Sequence, residues 1–126
     1  MTRLSVLVSD DDPMIREALR DVLDAEPDFD VIATASDTDE AIELAARFTP
    51  SVVVLDVRMP GGGGTRATRE IRVRSPRTRI LAFSAYSDLG MVREMEKLGA
   101  AEYLVKGVTN AEIVAAVRRL GSASPG

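Results

Sequence analysis

The sequence predicts a doubly wound α/β fold, in which a parallel five-stranded sheet carries helices on both faces. Short apolar segments alternate five times with stretches of helical periodicity. The apolar segments are nearly continuous and partly β-branched, as is typical of strands covered on both faces. Residues that cap helices stand at the borders between the two patterns. This alternation implies parallel strands joined by right-handed crossovers.

The strands and helices follow from these two patterns in chain order. The predicted strands are Leu4–Val8, Val31–Ala35, Val52–Leu55, Ile80–Phe83 and Tyr103–Val105. Four helices show apolar residues at a period near 3.6, in the stripes Ile15, Ala18, Leu19, Val22 and Leu23; Ala41, Ile42, Leu44, Ala45 and Phe48; Leu89, Val92, Met95 and Leu98; and Ile113, Val117 and Leu120. The third helix is predicted within Gly64–Arg74, where Ala67 and Ile71 define its buried side.

Capping residues support these borders. Asp12 before Pro13 has the pattern of an N-cap followed by proline at the first helical position. Two pairs have the spacing of a capping box, namely Asp37 with Glu40 and Thr109 with Glu112. Gly99 and Gly121 stand where glycine C-caps are expected. We predict one domain over residues 1–120 and a linker-like tail over residues 121–126, from its composition Gly-Ser-Ala-Ser-Pro-Gly.

The composition excludes several classes of function. The 126 residues suit one domain, with 45% apolar and 29% charged residues. The chain has no cysteine and no histidine, which excludes disulfides, thiolate or imidazole metal sites and Ser–His–Asp catalysis. A net charge of −4 argues against non-specific nucleic-acid binding, and we interpret the arginines of Arg66–Arg79 as a solvated helix face and loop. No apolar run is long enough to span a membrane and no signal-peptide pattern is present, so we expect a cytoplasmic protein.

Charged residues follow three of the predicted strands. Asp10, Asp11 and Asp12 follow the first strand, Asp56 the third and Lys106 the fifth. The carboxyl ends of parallel strands form the ligand-binding edge of such a sheet, so these side chains should converge. Carboxylates held close together repel, and a hard divalent cation such as Mg²⁺ relieves that repulsion. An aspartate beside such an ion can act as a nucleophile toward phosphorus, with the metal and the lysine neutralising the phosphoryl oxygens.

Each of these residues also has a simpler interpretation. Asp12 suits a helix cap better than a ligand, and Asp10 and Asp11 could complement the positive end of the first helix. Asp56 could be an ordinary acid at a strand end, and Lys106 a surface lysine whose stem lies on apolar residues. Their convergence on one sheet edge favours a functional site.

Four segments carry a resemblance to a known family. They are Val-Ser-Asp-Asp-Asp-Pro (Val8–Pro13), Leu-Asp-Val-Arg-Met-Pro-Gly (Leu55–Gly61), Phe-Ser-Ala-Tyr (Phe83–Tyr86) and Glu-Tyr-Leu-Val-Lys-Gly (Glu102–Gly107). In this order and spacing they resemble the receiver domains of bacterial two-component response regulators. The segment around Tyr103 is most similar to regulators that carry a LuxR-type DNA-binding domain.

The resemblance implies a fold, a function and a set of partners. The fold would be a flavodoxin-like (βα)5 three-layer sandwich with sheet order 2-1-3-4-5. The domain would take a phosphoryl group from a histidine kinase and control an output domain, a downstream partner or a phosphorylation-dependent homodimer. Such a domain catalyses its own phosphorylation and hydrolysis, but it is not an enzyme in the turnover sense.

The resemblance also assigns roles to individual residues. Asp56 would accept the phosphoryl group, and Lys106 would bind the phosphate. Mg²⁺ would be held by Asp11, by Asp10 mainly through water, by Asp56, and by the backbone carbonyl of Arg58. Ser84 and Tyr103 would be the switch hydroxyl and the switch aromatic, acting on the face formed by Leu89–Leu98, Glu102–Val105 and Thr109–Leu120. Arg58 and Tyr86, two residues beyond Asp56 and Ser84, would flank the path of the hydrolytic water.

Some positions depart from the family pattern. Ser9 replaces an apolar residue before the acidic pair, and Gly107 stands where many relatives have proline. The four glycines Gly61–Gly64 replace a Gly-x-x-Gly segment. Because glycine loses the most conformational entropy on ordering, we expect this loop to be mobile.

Two other functions remain open from the sequence. The chain could be an interaction module that is never phosphorylated, although degenerate relatives usually lose one residue of the site. It could also be a flavin-binding protein of the same topology, although three aspartates after the first strand would repel a flavin phosphate.

Overall fold

Strands and helices alternate along the chain in the computed structural model, which describes residues 3–85 and 88–122. The strands are β1 (Leu4–Ser9), β2 (Phe29–Ala35), β3 (Val52–Asp56), β4 (Arg79–Ser84) and β5 (Glu102–Val105). The helices are α1 (Pro13–Asp24), α2 (Thr38–Phe48), α3 (Gly63–Arg74), α4 (Leu89–Leu98) and α5 (Asn110–Ser122). All ten predicted elements are therefore present, with borders shifted by two residues at most at the strands.

The five strands form one parallel sheet in the order β2-β1-β3-β4-β5, as predicted. β3 lies at its centre, and all five of its residues are buried. Val54 pairs with Val8 of β1 on one side and with Leu81 of β4 on the other. A register shift between Val6 and Leu7 marks the pairing of β1 with the edge strand β2.

The helices cover the two faces of the sheet and enclose two apolar cores. Helices α1 and α5 pack on one face, through the buried residues Leu19, Leu23, Ile113, Ala116, Val117 and Leu120. Helices α2, α3 and α4 pack on the other, through Ala41, Ile42, Ala45, Ala67, Ile71 and Met95. Apolar residues that alternate along each strand point to these two faces in turn. The result is the three-layer sandwich that the sequence predicts.

The predicted helix caps form with one exception. The Asp12 carboxylate accepts from the Met14 N–H at 2.9 Å, and Pro13 is the first helical residue. The capping oxygens of Asp37 and Thr109 accept from N–H groups three residues later, at 2.8 and 3.1 Å. Gly99 caps α4 in the left-handed region at φ 116°.

Gly121 is the exception, because α5 continues through it to Ser122. The predicted cap at Gly121 is therefore wrong. A Cβ at this position would lie 2.7 Å from Cδ1 of Leu4, so the glycine permits close packing of α5 on the start of β1. The division of the chain at residue 120 stays a prediction, and residues 123–126 lie outside the described part.

Two arginines of α5 tie this helix to the rest of the fold. Arg118 contacts Glu26 at 2.7 Å and Asp28 at 2.8 Å, both in the connection between α1 and β2. The hydrogen bond from Arg118 lowers the pKa of Asp28. Arg119 pairs with Glu102 of β5 at 2.6 Å. Helix α5 is thus fastened on both of its sides.

Four of the six arginines in Arg66–Arg79 agree with their interpretation as a solvated helix face and loop, whereas Arg66 and Arg79 are half-buried. Arg69, Arg72, Arg74 and Arg77 are exposed. Arg74 lies 3.9 Å from Glu70 one helical turn away, a distance typical of weak surface pairs. Within residues 3–85 and 88–122, no helix has the length and apolarity of a membrane span.

Gly64, in the first turn of α3, provides a test of this packing. A Cβ there would lie 2.8 Å from Cα of Val57 and 3.3 Å from its carbonyl oxygen. Because the clash is with backbone, we expect Gly64→Ala to destabilise the protein by about 1–3 kcal/mol, measured by urea denaturation. Gly90→Ala is a suitable control, since its Cβ would meet only the movable Asp88 carboxylate, at 3.2 Å. Equal stability of the two variants would contradict the close approach of α3 to β3.

Candidate functional site

Three carboxylates and one ammonium group meet at the carboxyl edge of the sheet. Asp10 and Asp11 follow β1, Asp56 is the last residue of β3, and Lys106 follows β5. One oxygen from each of the three aspartates lies within 4.8 Å of the others. Asp10 and Asp56 are buried, whereas Asp11 is exposed. The parallel topology thus brings together the residues that the sequence predicts to converge.

Backbone and side-chain contacts fix Asp10 in place. Its N–H donates to the carbonyl of Ala35 at the end of β2, at 3.0 Å. Its Oδ1 accepts from the Asp12 N–H at 2.9 Å. Its own carbonyl accepts from Nη1 of Arg16 at 2.7 Å. The turn from β1 into α1 therefore holds this carboxylate in one position.

Lys106 bridges two of the acids. Its Nζ lies 2.9 Å from Oδ2 of Asp10 and 3.6 Å from Oδ1 of Asp56. The N–H of Lys106 donates to the carbonyl of Ser84 at 2.7 Å, which anchors the start of its loop to β4. The same Nζ lies 5.9 Å from the centre of the Phe83 ring. Lys106 is thus a fixed cation between β1 and β3 rather than a free surface lysine.

Burial and charge shift the pKa values of these groups. Burial, and then the negative charge of Asp10, raise the pKa of Asp56 to about 7, against the opposing effects of the Arg58 N–H and of Lys106. The Arg58 N–H donates to Oδ1 of Asp56 at 3.2 Å. Burial alone would lower the pKa of Lys106, but the carboxylates of Asp10 and Asp56 outweigh it and raise that pKa. The site therefore has more carboxylates than its one lysine neutralises.

The donor set suits a hard divalent cation. Asp10, Asp11 and Asp56 offer carboxylate oxygens only, close enough to share one ion. A cation would relieve both causes of the raised pKa of Asp56, namely the burial of its negative charge and the repulsion from Asp10. Oxygen-only sites of this kind suit Mg²⁺, Ca²⁺ or Mn²⁺, and exclude the soft metals that need sulfur or imidazole. The residues present thus fit a metal of the Mg²⁺ class.

The two predicted switch residues lie on the neighbouring strands. Ser84 is the last residue of β4 and is buried, one position beyond the residue that pairs with Asp56. Tyr103 of β5 pairs with Ala82. It is half-buried and packs against the core cluster that contains Met95 of α4. Ser84 and Tyr103 therefore share one face of the sheet, the face covered by α4.

The remaining predicted site residues have different outcomes. Asp12 caps α1, as its simpler interpretation predicts. Arg58 lies beside the site through its N–H, and the role of its carbonyl as a metal ligand stays a prediction. Tyr86 lies outside the described residues. The roles of Arg58 and Tyr86 in the lifetime of a phosphoryl group stay predictions as well.

Sequence reasoning missed two neighbours of the acidic cluster. Arg16, in the first turns of α1, donates to the carbonyl of Asp10. Phe83 provides the ring beside the Lys106 ammonium group. The sequence does contain a signal for Arg16. It follows the cap Asp12 by one helical turn, and long side chains on a helix lean toward its N-terminus, which here is the start of α1.

The raised pKa of Asp56 predicts a pH dependence of stability in the metal-free protein. Between about pH 4 and pH 7 the folded state holds a proton at Asp56 that the unfolded chain releases, because the pKa rises from 3.8 to about 7 on folding. The free energy of unfolding should therefore fall as pH rises through this window. Asp56→Asn should remove this fall and gain at most about 4 kcal/mol relative to the wild type above pH 7.

Urea denaturation in EDTA at about pH 4 and about pH 8 measures this difference. A gain that is the same at both pH values would show that Asp56 does not carry the shift. Addition of Mg²⁺ at the higher pH should stabilise the wild type more than Asp56→Asn, since the ion relieves the same repulsion.

Comparison with known proteins agrees with this geometry. Residues 6–118 match the family model described as "Response regulator receiver domain". The transcriptional regulatory protein DegU of Brevibacillus brevis is 32% identical over 116 residues, which are 92% of this chain and 49% of that protein. The transcriptional regulatory protein LiaR of Bacillus subtilis is 34% identical over 122 residues, which are 97% of this chain and 58% of that protein. The chain thus spans about half the length of these relatives.

Solved structures show the same fold. The signal receiver domain of the response regulator NarL from Mycobacterium tuberculosis has a TM-score of 0.94 at 33% identity, and the match covers 98% of this chain and 100% of that one. A two-component response regulator of the LuxR family from Aurantimonas sp. SI85-9A1 has a TM-score of 0.90 at 33% identity, with 96% and 86% of the two chains covered. By sequence, topology and the placement of its acidic cluster, this chain belongs to the response regulator receiver domain family.

Proposed function

We propose that the domain is switched by transfer of a phosphoryl group to Asp56, assisted by Mg²⁺. One observation carries this proposal, namely the convergence of Asp10, Asp11 and Asp56 on the Lys106 ammonium group. Membership of the receiver domain family supports the same function, because phosphorylation at such a cluster is typical of it.

The transfer step combines the carboxylates and the lysine of this site with a phosphorylated imidazole of the donor and a bound Mg²⁺. A carboxylate oxygen of Asp56 attacks the phosphorus of the donor. The bond between phosphorus and the donor's imidazole nitrogen breaks, and Asp56 becomes an acyl phosphate. Lys106, 3.6 Å from Asp56, pairs with an oxygen of the arriving phosphoryl group. When bound by Asp10, Asp11, Asp56 and the Arg58 carbonyl, Mg²⁺ supplies further charge neutralisation.

The chemistry also suggests the partners. By analogy with its family, the donor is a histidine kinase. By analogy with DegU and LiaR, which are transcriptional regulators, the domain controls an output module, and a LuxR-type DNA-binding domain suits the similarity to LuxR-family structures. A dimer formed on phosphorylation would serve the same output. A kinase-dependent regulator of this type acts in the cytoplasm.

The domain itself acts as a switch rather than an enzyme with an external product. One relative is an enzyme, a protein-glutamate methylesterase/protein-glutamine glutaminase of Methanococcus maripaludis. It is 36% identical over 108 residues, but this chain spans only 29% of its length. The resemblance therefore concerns the receiver part, and esterase activity is not carried over.

The response travels from Ser84 to Tyr103. Ser84 ends the strand next to β3, so its hydroxyl can donate to an oxygen of the phosphoryl group on Asp56. Its inward movement vacates space on the face that Tyr103 shares, and Tyr103 turns from half-buried to buried. The face formed by α4, β5 and α5 then has two arrangements, which phosphate and partner both bias.

Incubation with acetyl phosphate and Mg²⁺ should add one phosphoryl group to the wild type and none to Asp56→Asn. The reason is that Asp56 ends the central strand, with Lys106 at 3.6 Å and the carboxylates of Asp10 and Asp11 within 4.8 Å. Intact-mass spectrometry measures the gain.

Two controls accompany this experiment. Omission of Mg²⁺, or Asp11→Ala, should abolish the gain while the fold stays cooperative. Equal gain in Asp56→Asn would exclude Asp56 as the acceptor. An unphosphorylated wild type that folds and binds Mg²⁺ would favour the interaction module, and a yellow purified protein would favour a flavin site.

Ser84→Ala should keep phosphorylation of Asp56 but uncouple the response of Tyr103, because the hydroxyl that follows the phosphate is removed. NMR chemical shifts with and without phosphorylation measure this. In the wild type, changes should concentrate in α4, β5 and α5, with Tyr103 among the largest. Changes confined to the loops around Asp11 and Asp56, with Tyr103 silent, would contradict this route.

A further inference from the structure

The four glycines Gly61–Gly64 lead from the loop after β3 into the first turn of α3, and none of them supplies a side-chain cap for that helix. Gly61, Gly62 and Gly63 all have positive φ, at 95°, 110° and 71°. Gly62 occupies the N-cap position of α3. As a glycine it has no side chain that could accept a hydrogen bond from the first N–H groups of the helix. Because the first N–H groups of a helix have no partner within it, α3 needs an acceptor from elsewhere.

Thr38, the first residue of α2, provides that acceptor. Its Oγ1 accepts from the Gly63 N–H at 3.0 Å. Its own N–H donates to the carbonyl of Pro60 at 3.0 Å. Thr38 is completely buried, and α2 has its own cap in Asp37. The threonine hydroxyl therefore caps a helix other than the one in which it lies.

The fit between the loop and α2 is close on both sides of Thr38. A Cβ at Gly61 would lie 3.3 Å from Cβ of Thr38, so glycine there permits the contact. At the surface, Arg66 joins the loop to α2. Its Nη1 donates to the Gly61 carbonyl and to Asp39 of α2, both at 2.7 Å. These contacts oppose the mobility that four glycines predict.

The held segment begins at the phosphorylation site. Asp56 ends β3, and the Arg58 N–H donates to its Oδ1 at 3.2 Å. Pro60 lies two residues after Arg58, and its carbonyl accepts from the Thr38 N–H. The segment from Asp56 to Pro60 is thus fixed at one end by the sheet and at the other by Thr38. The carbonyl of Arg58 lies between these two fixed points.

We propose that Thr38 is a positioning residue of the phosphorylation site. By capping α3 and holding Pro60, it sets the position of the Arg58 carbonyl, which would join Asp10, Asp11 and Asp56 in holding the metal. This inference rests on the function proposed above. It makes the first turn of α2, which holds no ligand, part of the machinery that binds Mg²⁺.

Thr38→Val separates the hydroxyl from the shape of the side chain. Valine keeps the volume and the N–H, but it removes the oxygen that accepts from Gly63. We expect its Mg²⁺ affinity, measured by NMR titration without phosphodonor, to fall about tenfold, as is typical when a residue that orients a ligand is lost. Thr38→Ser keeps the hydroxyl and should restore most of the affinity.

Thr68→Val is the matched control. Thr68 is completely buried on α3, and its Oγ1 has no hydrogen-bond partner among the described residues. Its replacement should leave Mg²⁺ affinity near the wild-type value. Equal affinities of Thr38→Val and Thr68→Val would overturn the proposal, as would a Thr38→Ser variant as weak as Thr38→Val.

A measurement on the wild type decides the matter if Thr38→Val fails to fold. Because coupling between two sites is reciprocal, Mg²⁺ should slow hydrogen exchange at the Gly63 amide. Unchanged exchange there would contradict the proposal. If the wild type binds Mg²⁺ and gains a phosphoryl group, and Thr38→Val has the same Mg²⁺ affinity, the role of Thr38 is overturned while the proposed function stands. A wild type that does neither would overturn the proposed function as well.

Discussion

Repulsion among three carboxylates is the constraint on which the rest of this structure depends. Asp10 and Asp56 are buried, and one lysine cannot neutralise the cluster that they form with Asp11. Nothing in the hydrophobic cores requires such an arrangement, since neutral residues would be easier to bury. The fold instead holds these charges together through the ends of β1 and β3, so that an ion or a phosphoryl group changes the stability of the whole edge.

Much of this arrangement can be read from the sequence, because its causes are local. Val52–Leu55 is an apolar run, and the structure buries every residue of it in the central strand. The position of Asp56 directly after that run is then enough to place it at the sheet edge. β2 begins earlier than predicted, at Phe29, because exposed Asp30 interrupts the apolar pattern that marks a strand.

Contacts between distant residues were not predictable in the same way. Gly121 looks like a helix cap until Leu4 is known to lie against it. Thr38 and Gly63 are 25 residues apart, and the hydrogen bond between them depends on how α2 and α3 pack. Local rules assign Gly121 to a helix end and give no partner for Thr38, whereas the structure uses both residues for contacts between elements. Sequence patterns therefore do not predict a residue's role when that role depends on a contact with a different helix or strand.

The ion pairs of Arg118 and Arg119 affect how a signal can leave the domain. Arg118 and Arg119 fasten α5 to the α1–β2 connection and to β5. Among the described residues, no ion pair joins α4 to the rest of the fold, and Met95 is the one buried side chain of this helix. Helix α5 is therefore held to its neighbours by ion pairs, whereas α4 is held mainly by the packing of Met95. Because α4 and α5 lie on opposite faces of the sheet, a partner that contacts both helices would sense a shift of α4 relative to α5 when the state of Asp56 changes.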